Sequence, residues 1–215
     1  MNKIYEAIES GDLKAIRKLV EINPQVINHC DGDQYYSPLG FAIRDMDRKF
    51  DVIELLVMQG AEISWKTVDG YTPLHLNIDV NGPSGSGELP YKIASLLKDR
   101  GANIEAKNHY GWTPLLYAGL EGTPDEFAAL LKLGARYDVY YPQESMPRFT
   151  RGQSLAQIAL PRPEIIRLLL EYGFQPDKKL LECASKDIME SEDPNSSYVA
   201  DIKKSIELLS SARVL

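Results

Sequence analysis

Two short marks alternate along this chain, and their alternation restricts the fold more than any other feature of the sequence. The first is Ser or Thr followed by Pro-Leu: SPLGFA from Ser37, TPLHLN from Thr72 and TPLLYA from Thr113, with a weaker SLAQIA from Ser154. The second is an aliphatic run ending in glycine: VIELLVMQGA to Ala61, IASLLKDRGA to Ala102, FAALLKLGA to Ala135 and IIRLLLEYGF to Phe174. A hydroxyl before proline starts a helix, because it caps exposed backbone N–H groups while proline at the first helical position wastes no donor. Glycine after the run stops a helix, since it enters the left-handed region without a Cβ penalty. Each unit therefore reads helix, short turn, helix, loop. A catalytic constellation is needed once in a chain. A mark that recurs is stacking surface, because a two-helix unit cannot bury its own apolar face and takes its core from its neighbours.

With TPLH near the start of the first helix, the pattern resembles the ankyrin repeat, whose unit is about 33 residues. Gly101 to Gly134 spans 33 positions, whereas Gly60 to Gly101 spans 41 and Gly134 to Gly173 spans 39. The surplus has a place. DVNGPSGSGELP, Asp79 to Pro90, falls between the two helices of its unit; YYPQESMPRF, Tyr140 to Phe149, falls in the finger loop between units; a smaller insertion lies between Arg44 and Phe50. AIESGDLKAIRKLVEINP from Ala7 resembles the second half of a repeat with Gly11-Asp12 at its turn, and two further helical patterns follow Gly173 without a TPLH mark. The resemblance implies an all-α ankyrin-repeat solenoid of one domain. Its parts are an N-terminal cap repeat over residues 1–33, four internal repeats over 34–177 and capping helices over 178–215.

Composition excludes several functions. The formal charge is -7, and Asp31 to Pro90 holds ten acids against four bases; a nucleic-acid binder needs instead a basic stripe that displaces counterions from phosphates. Cys30 and Cys183 stand far apart with no C-x-x-C, so neither a disulfide framework nor a zinc knuckle is expected. The opening residues lack the uninterrupted apolar core of a signal peptide, and no window reaches the roughly 18 apolar residues of a membrane span. A cytoplasmic protein with no membrane or nucleic-acid partner, monomeric when free, is the expectation. NGPSGSGELP lacks the G-K-[ST] ending of a phosphate loop, and no histidine has a second at H-E-x-x-H spacing. No catalytic residue, no metal and no cofactor is expected.

The resemblance gives Thr72, Pro73, His75, Thr113 and Pro114 structural roles, with His75 hydrogen-bonding between neighbouring repeats. The position before each helix start holds Tyr36, Tyr71 and Trp112, which the family's geometry places on the fingers beside a concave face. Together with His109, Tyr110, Tyr140 and Tyr141 they form a candidate aromatic strip, since Tyr and Trp offer large contact area at low rotamer cost. Asp45, Asp69, Asp79 and Glu121 are its candidate carboxylates, and Arg148 and Arg151 mark a basic opposite end. The expected function is binding of another protein with a basic patch. Small stand-alone ankyrin proteins of bacterial type include inhibitors that give immunity against a toxin such as a nuclease; the alternative is a scaffold, adaptor or effector whose binding is driven by shape.

Overall fold

Three helix-start hydroxyls cap their helices as their position predicts, while the Thr72 hydroxyl lies 2.9 Å from His75 Nδ1. Ser37 accepts the N–H of Gly40 at 3.2 Å, Thr113 that of Leu116 at 3.3 Å and Ser154 that of Gln157 at 3.2 Å. At the other marks, Gly60, Gly101, Gly134 and Gly173 all sit at φ between 87° and 93°. Each lets the following N–H bond back into the finished helix, as Ala61 does to the Leu56 carbonyl at 3.0 Å, which satisfies a carbonyl that a helix end otherwise strands.

The computed structural model describes residues 3–30, 36–78, 87–143 and 151–212. Among these residues the chain forms six successive helix pairs. They are α1 (Lys3–Ser10) with α2 (Leu13–Ile22), α3 (Pro38–Arg44) with α4 (Phe50–Met58), α5 (Pro73–Leu76) with α6 (Leu89–Asp99), α7 (Pro114–Glu121) with α8 (Pro124–Lys132), α9 (Leu155–Ile158) with α10 (Pro163–Glu171), and α11 (Lys178–Met189) with α12 (Ser197–Ala212). A 3-10 turn at Pro24–Ile27 follows α2. First helices pack on first helices, α1 on α3, α3 on α5, α5 on α7, α7 on α9 and α9 on α11. Second helices form a parallel row from α2 through α4, α6, α8 and α10 to α12. The result is a two-layered helical solenoid, and its only β feature among the described residues is the isolated bridge from Tyr140 to Ser154.

Between the layers lie the paired aliphatics of the second mark. Ile53 and Leu56, Ile93 and Leu97, Phe127 and Leu130, and Ile165 and Leu169 are all buried. Their spacing of three or four residues puts each pair on one helix face. Each such side chain stabilises by about 1.5–3 kcal/mol relative to exposure.

Two first helices are shorter than the regular pattern predicts, α5 and α9 having a single turn each. After α9 the cause is Pro161, which disfavours helical geometry in the residue before it. After α5 the chain leaves the layer at Ile78; residues 79–86 of the insertion lie outside the described residues, and α6 already includes Leu89 and Pro90. The core divides at this place: one apolar cluster runs from Ile4 to Leu97 and takes in Leu133, and the other gathers Ile78 with residues from Trp112 to Leu209. Arg48, 3% exposed, spans the division. Its guanidinium donates to the Asn77 carbonyl at 3.2 Å and lies 3.7 Å from the buried Glu126 carboxylate of α8, whose other oxygen accepts the Thr123 N–H at 2.8 Å.

Candidate partner-binding cleft

The fingers that carry the candidate residues are tight turns. Gly70 donates to the Thr67 carbonyl and Gly111 to that of Asn108, at 2.9 and 3.0 Å, both glycines with positive φ. Consecutive fingers touch through the His109 N–H, which donates to the Asp69 carbonyl at 2.9 Å. A Cβ on Gly70 would stand 2.7 Å from the His109 ring, so glycine is required there both for its φ and for the approach of the next finger.

Behind the fingers, His75 is fully buried and joins two repeats. Its Nδ1 accepts the Thr72 N–H at 3.2 Å, and its Nε2 lies 2.9 Å from the Trp112 carbonyl. A backbone N–H can only donate and a carbonyl only accept, so the ring is neutral with its proton on Nε2. Burial is the first cause that pushes this imidazole down to about 4, against the opposing pull of the Trp112 carbonyl. Gln157 occupies the same place in the fourth repeat: its Oε1 accepts the Ser154 N–H at 2.8 Å and its Nε2 reaches Cys183 Sγ at 3.2 Å.

Between the fingers and the first helices opens a cleft of about 300 Å³ lined by Tyr36, Arg44, Val68, Asp69, Tyr71 and Tyr117, among others. The aromatic rings are continuous. Tyr71 lies 5.2 Å from Tyr117 and 6.4 Å from Tyr110, centroid to centroid, and Tyr110 lies 5.6 Å from Trp112. Burial raises Tyr71 to about 12, with Tyr110, Asp69 and Glu121 adding to it. Burial raises Tyr117 further still. Both hydroxyls therefore keep their protons at neutral pH.

The candidate residues are differently placed. Tyr36, Asp69 and Tyr71 line the cleft. Tyr110 flanks Tyr71, His109 stands exposed on the adjoining fingertip, and Glu121 is exposed at the end of α7. Trp112 and Tyr141 are corrections to the strip: at 5% and 1% exposure they are buried. Trp112 is covered because the next finger lays the Tyr141 ring 6.0 Å from it, and the Tyr141 hydroxyl donates to the Leu116 carbonyl at 2.6 Å. Tyr140 points the other way and is 66% exposed. Asp45 caps α3 and is tied to Lys49 at 3.3 Å, so its charge is largely answered within the chain. Arg151 is exposed, while Asp79 and Arg148 lie outside the described residues. Thr72, Pro73, Thr113 and Pro114 are buried at their helix starts.

Two cleft residues were not singled out in the sequence, Tyr117 and Arg44. Tyr117 stands four positions after Thr113, where the other repeats have Phe41, Leu76 and Ile158. A hydroxyl in an otherwise apolar register was the available signal. Arg44 ends α3 and has no periodic counterpart. Among the described residues no cluster of three His, Cys, Asp or Glu side chains is arranged to hold a metal, and no helix is long and apolar enough to cross a membrane.

No family model matches the chain. It is 38% identical over 97 residues to protein fem-1 homolog A of Danio rerio, covering 42% of this chain and 16% of that protein. It is 32% identical over 133 residues to the ankyrin repeat protein nuc-2 of Neurospora crassa, covering 61% of this chain and 11% of that protein. A putative ankyrin repeat protein of Rickettsia felis is 37% identical over 90 residues, covering 41% of this chain and 38% of the relative. The likeness thus spans well under half the length of each relative, and it supports a module for protein–protein interaction.

Proposed function

Because this chain is an ankyrin-repeat protein, we propose that it is a non-catalytic binding module, and that the cleft between fingers and first helices holds a partner protein bearing a basic patch. One observation carries the reading. Tyr36, Tyr71 and Tyr117 line one opening with Asp69, Tyr110 packs beside Tyr71, and Glu121 lies close enough for its charge to act on Tyr71 and Tyr117; neither carboxylate makes an ion pair among the described residues. Aromatic anchors in a sheltered pocket are where binding energy concentrates, and carboxylates at a rim steer a basic partner and fix its register. His109 and Tyr140 extend the contact surface along the fingers, with Arg151 at its far end. Residues 1–33 and 178–215 cap four repeats in 34–177, and the module works in the cytoplasm as a monomer when free. Among the described residues neither Cys30 nor Cys183 is in a disulfide, which agrees with a reducing compartment. Inhibition of a basic toxin or nuclease is one form of this function, since an acidic surface suits an active site built to hold phosphates.

The test compares partner capture by the parent chain and by the Tyr71→Ala/Tyr117→Ala variant. The variant is expected to bind at least about a hundredfold more weakly, roughly 2.7 kcal/mol, with its helical circular dichroism intact. Raised salt should slow association with the parent. A partner held equally by both proteins would remove the cleft from the function and leave shape-driven binding elsewhere on the solenoid.

A further inference from the structure

We infer that Arg44, in the lining of this cleft, is the receptor for a carboxylate, an aspartate or glutamate side chain presented by the bound partner. The inference rests on the cleft being the binding site. Arg44 is half-buried, yet among the described residues its only hydrogen bond is from Nη1 to the Ile78 carbonyl at 3.4 Å, longer than an ordinary N–H···O contact. A guanidinium has five N–H donors in a fixed fork, so most of Arg44 is unanswered. The other sheltered cations are not left this way. Arg48 meets Asn77 and Glu126, Arg162 donates to the carbonyls of Ala118 and Gly119 and lies 3.5 Å from Glu164, and Lys49 meets Asp45 and Asp47.

Among the described residues no carboxylate pairs with Arg44. Asp45 is taken by Lys49, while Asp69 and Glu121 form no ion pair with Arg44. Tyr36, Tyr71 and Tyr117 line the same cavity, and each phenol O–H can donate as well as accept. A guanidinium beside such hydroxyls offers several donors to an acceptor group. A carboxylate has two oxygens that match the arginine fork in a bidentate pair. Asp69 and Glu121 then act as a filter, because they repel a dianion more than a monoanion and draw basic residues to either side. The epitope that fits is a carboxylate flanked by basic side chains.

The experiment is an NMR titration of the full chain, following the Arg44 Nε–H and the Tyr117 ring. The probes are N-acetylglutamate N-methylamide, its neutral glutamine counterpart and inorganic phosphate. The glutamate probe should bind saturably and at least about tenfold more tightly than the glutamine probe, 1.4 kcal/mol. Arg44→Met should erase that preference with the thermal midpoint unchanged, and Arg44→Gln serves as a second variant should methionine disturb the fold. Equal binding of the two amino-acid probes, or a preference intact in both variants, overturns the inference. Tighter binding of phosphate overturns the carboxylate assignment. With the natural partner the two readings separate. Loss of binding in Tyr71→Ala/Tyr117→Ala with full binding by Arg44→Met leaves the cleft standing and removes the carboxylate anchor. A glutamate preference that needs Arg44, in a protein whose partner ignores the tyrosines, does the reverse.

Discussion

At the scale of single residues, His75 is the side chain most easily mistaken for chemistry, and its surroundings give it a structural task. Its folded-state value of about 4 lies below the ordinary 6.5 of an exposed imidazole. The unfolded chain therefore takes up a proton that the folded chain refuses. The stabilisation is fully present above pH 6.5 and is lost as pH falls toward 4, a swing on the order of 3 kcal/mol. Urea unfolding at several pH values should show this loss in the parent and a flatter profile in His75→Gln. Glutamine should preserve the link, since Gln157 already bridges from Ser154 to Cys183 in the fourth repeat without titrating. His75→Ala leaves the buried Thr72 N–H without its Nδ1 acceptor and removes the link to the Trp112 carbonyl, which keeps the Asn108 N–H, and should cost about 2 kcal/mol at neutral pH.

Elements are punctuated by glycines that look alike in sequence but differ in what surrounds them. Gly60 ends α4 at φ 93° with nothing within 4 Å of an added Cβ. Gly70 turns a finger at φ 80°, where the same Cβ would meet both the ring and the backbone nitrogen of His109. Gly60→Ala is therefore expected to lose only the strain of a left-handed alanine, about 1–2 kcal/mol. Gly70→Ala carries that strain and also parts its finger from the one that carries His109. Thermal melts should rank Gly70→Ala as the less stable, and weakened partner binding should accompany it because Asp69 and Tyr71 sit on the displaced finger. Equal melting points would mean that the fingers separate without resistance.

For the whole molecule, the sensitive place is the division of the core beside the one-turn helix α5. Arg48 and Glu126 are buried there as a pair, and removing one partner of such a pair typically costs about 3–5 kcal/mol because the other charge remains in a low-dielectric setting. Arg48→Met should fall in that range by denaturant unfolding. Adding Glu126→Gln should restore part of the loss, since glutamine keeps an acceptor for the Thr123 N–H and removes the stranded charge. A double variant no more stable than Arg48→Met would show that the arginine does not act through the Glu126 charge.

The sequence by itself determined the order of elements and where most of them begin and end, because those signals are local. A hydroxyl at Ser37, Thr113 or Ser154 caps the turn that immediately follows it, and a glycine such as Gly134 ends the helix immediately before it. Aliphatic pairs such as Ile165 and Leu169 declare the buried face by spacing alone. Exposure at equivalent positions was not legible in the same way. Tyr71 and Trp112 occupy one register, but a tyrosine from the next finger covers Trp112 while Tyr71 stays in the cleft. Tyr140 and Tyr141 are neighbours in sequence, and extended backbone sends their side chains to opposite sides. The pairing of Arg48 with Glu126, and the lack of a carboxylate partner for Arg44 among the described residues, depend on which helices end early and what the stack brings across the gap. Capping and turn chemistry act over three or four residues and can be read along the chain; burial and ion pairing act between repeats, and only the tertiary structure decides them.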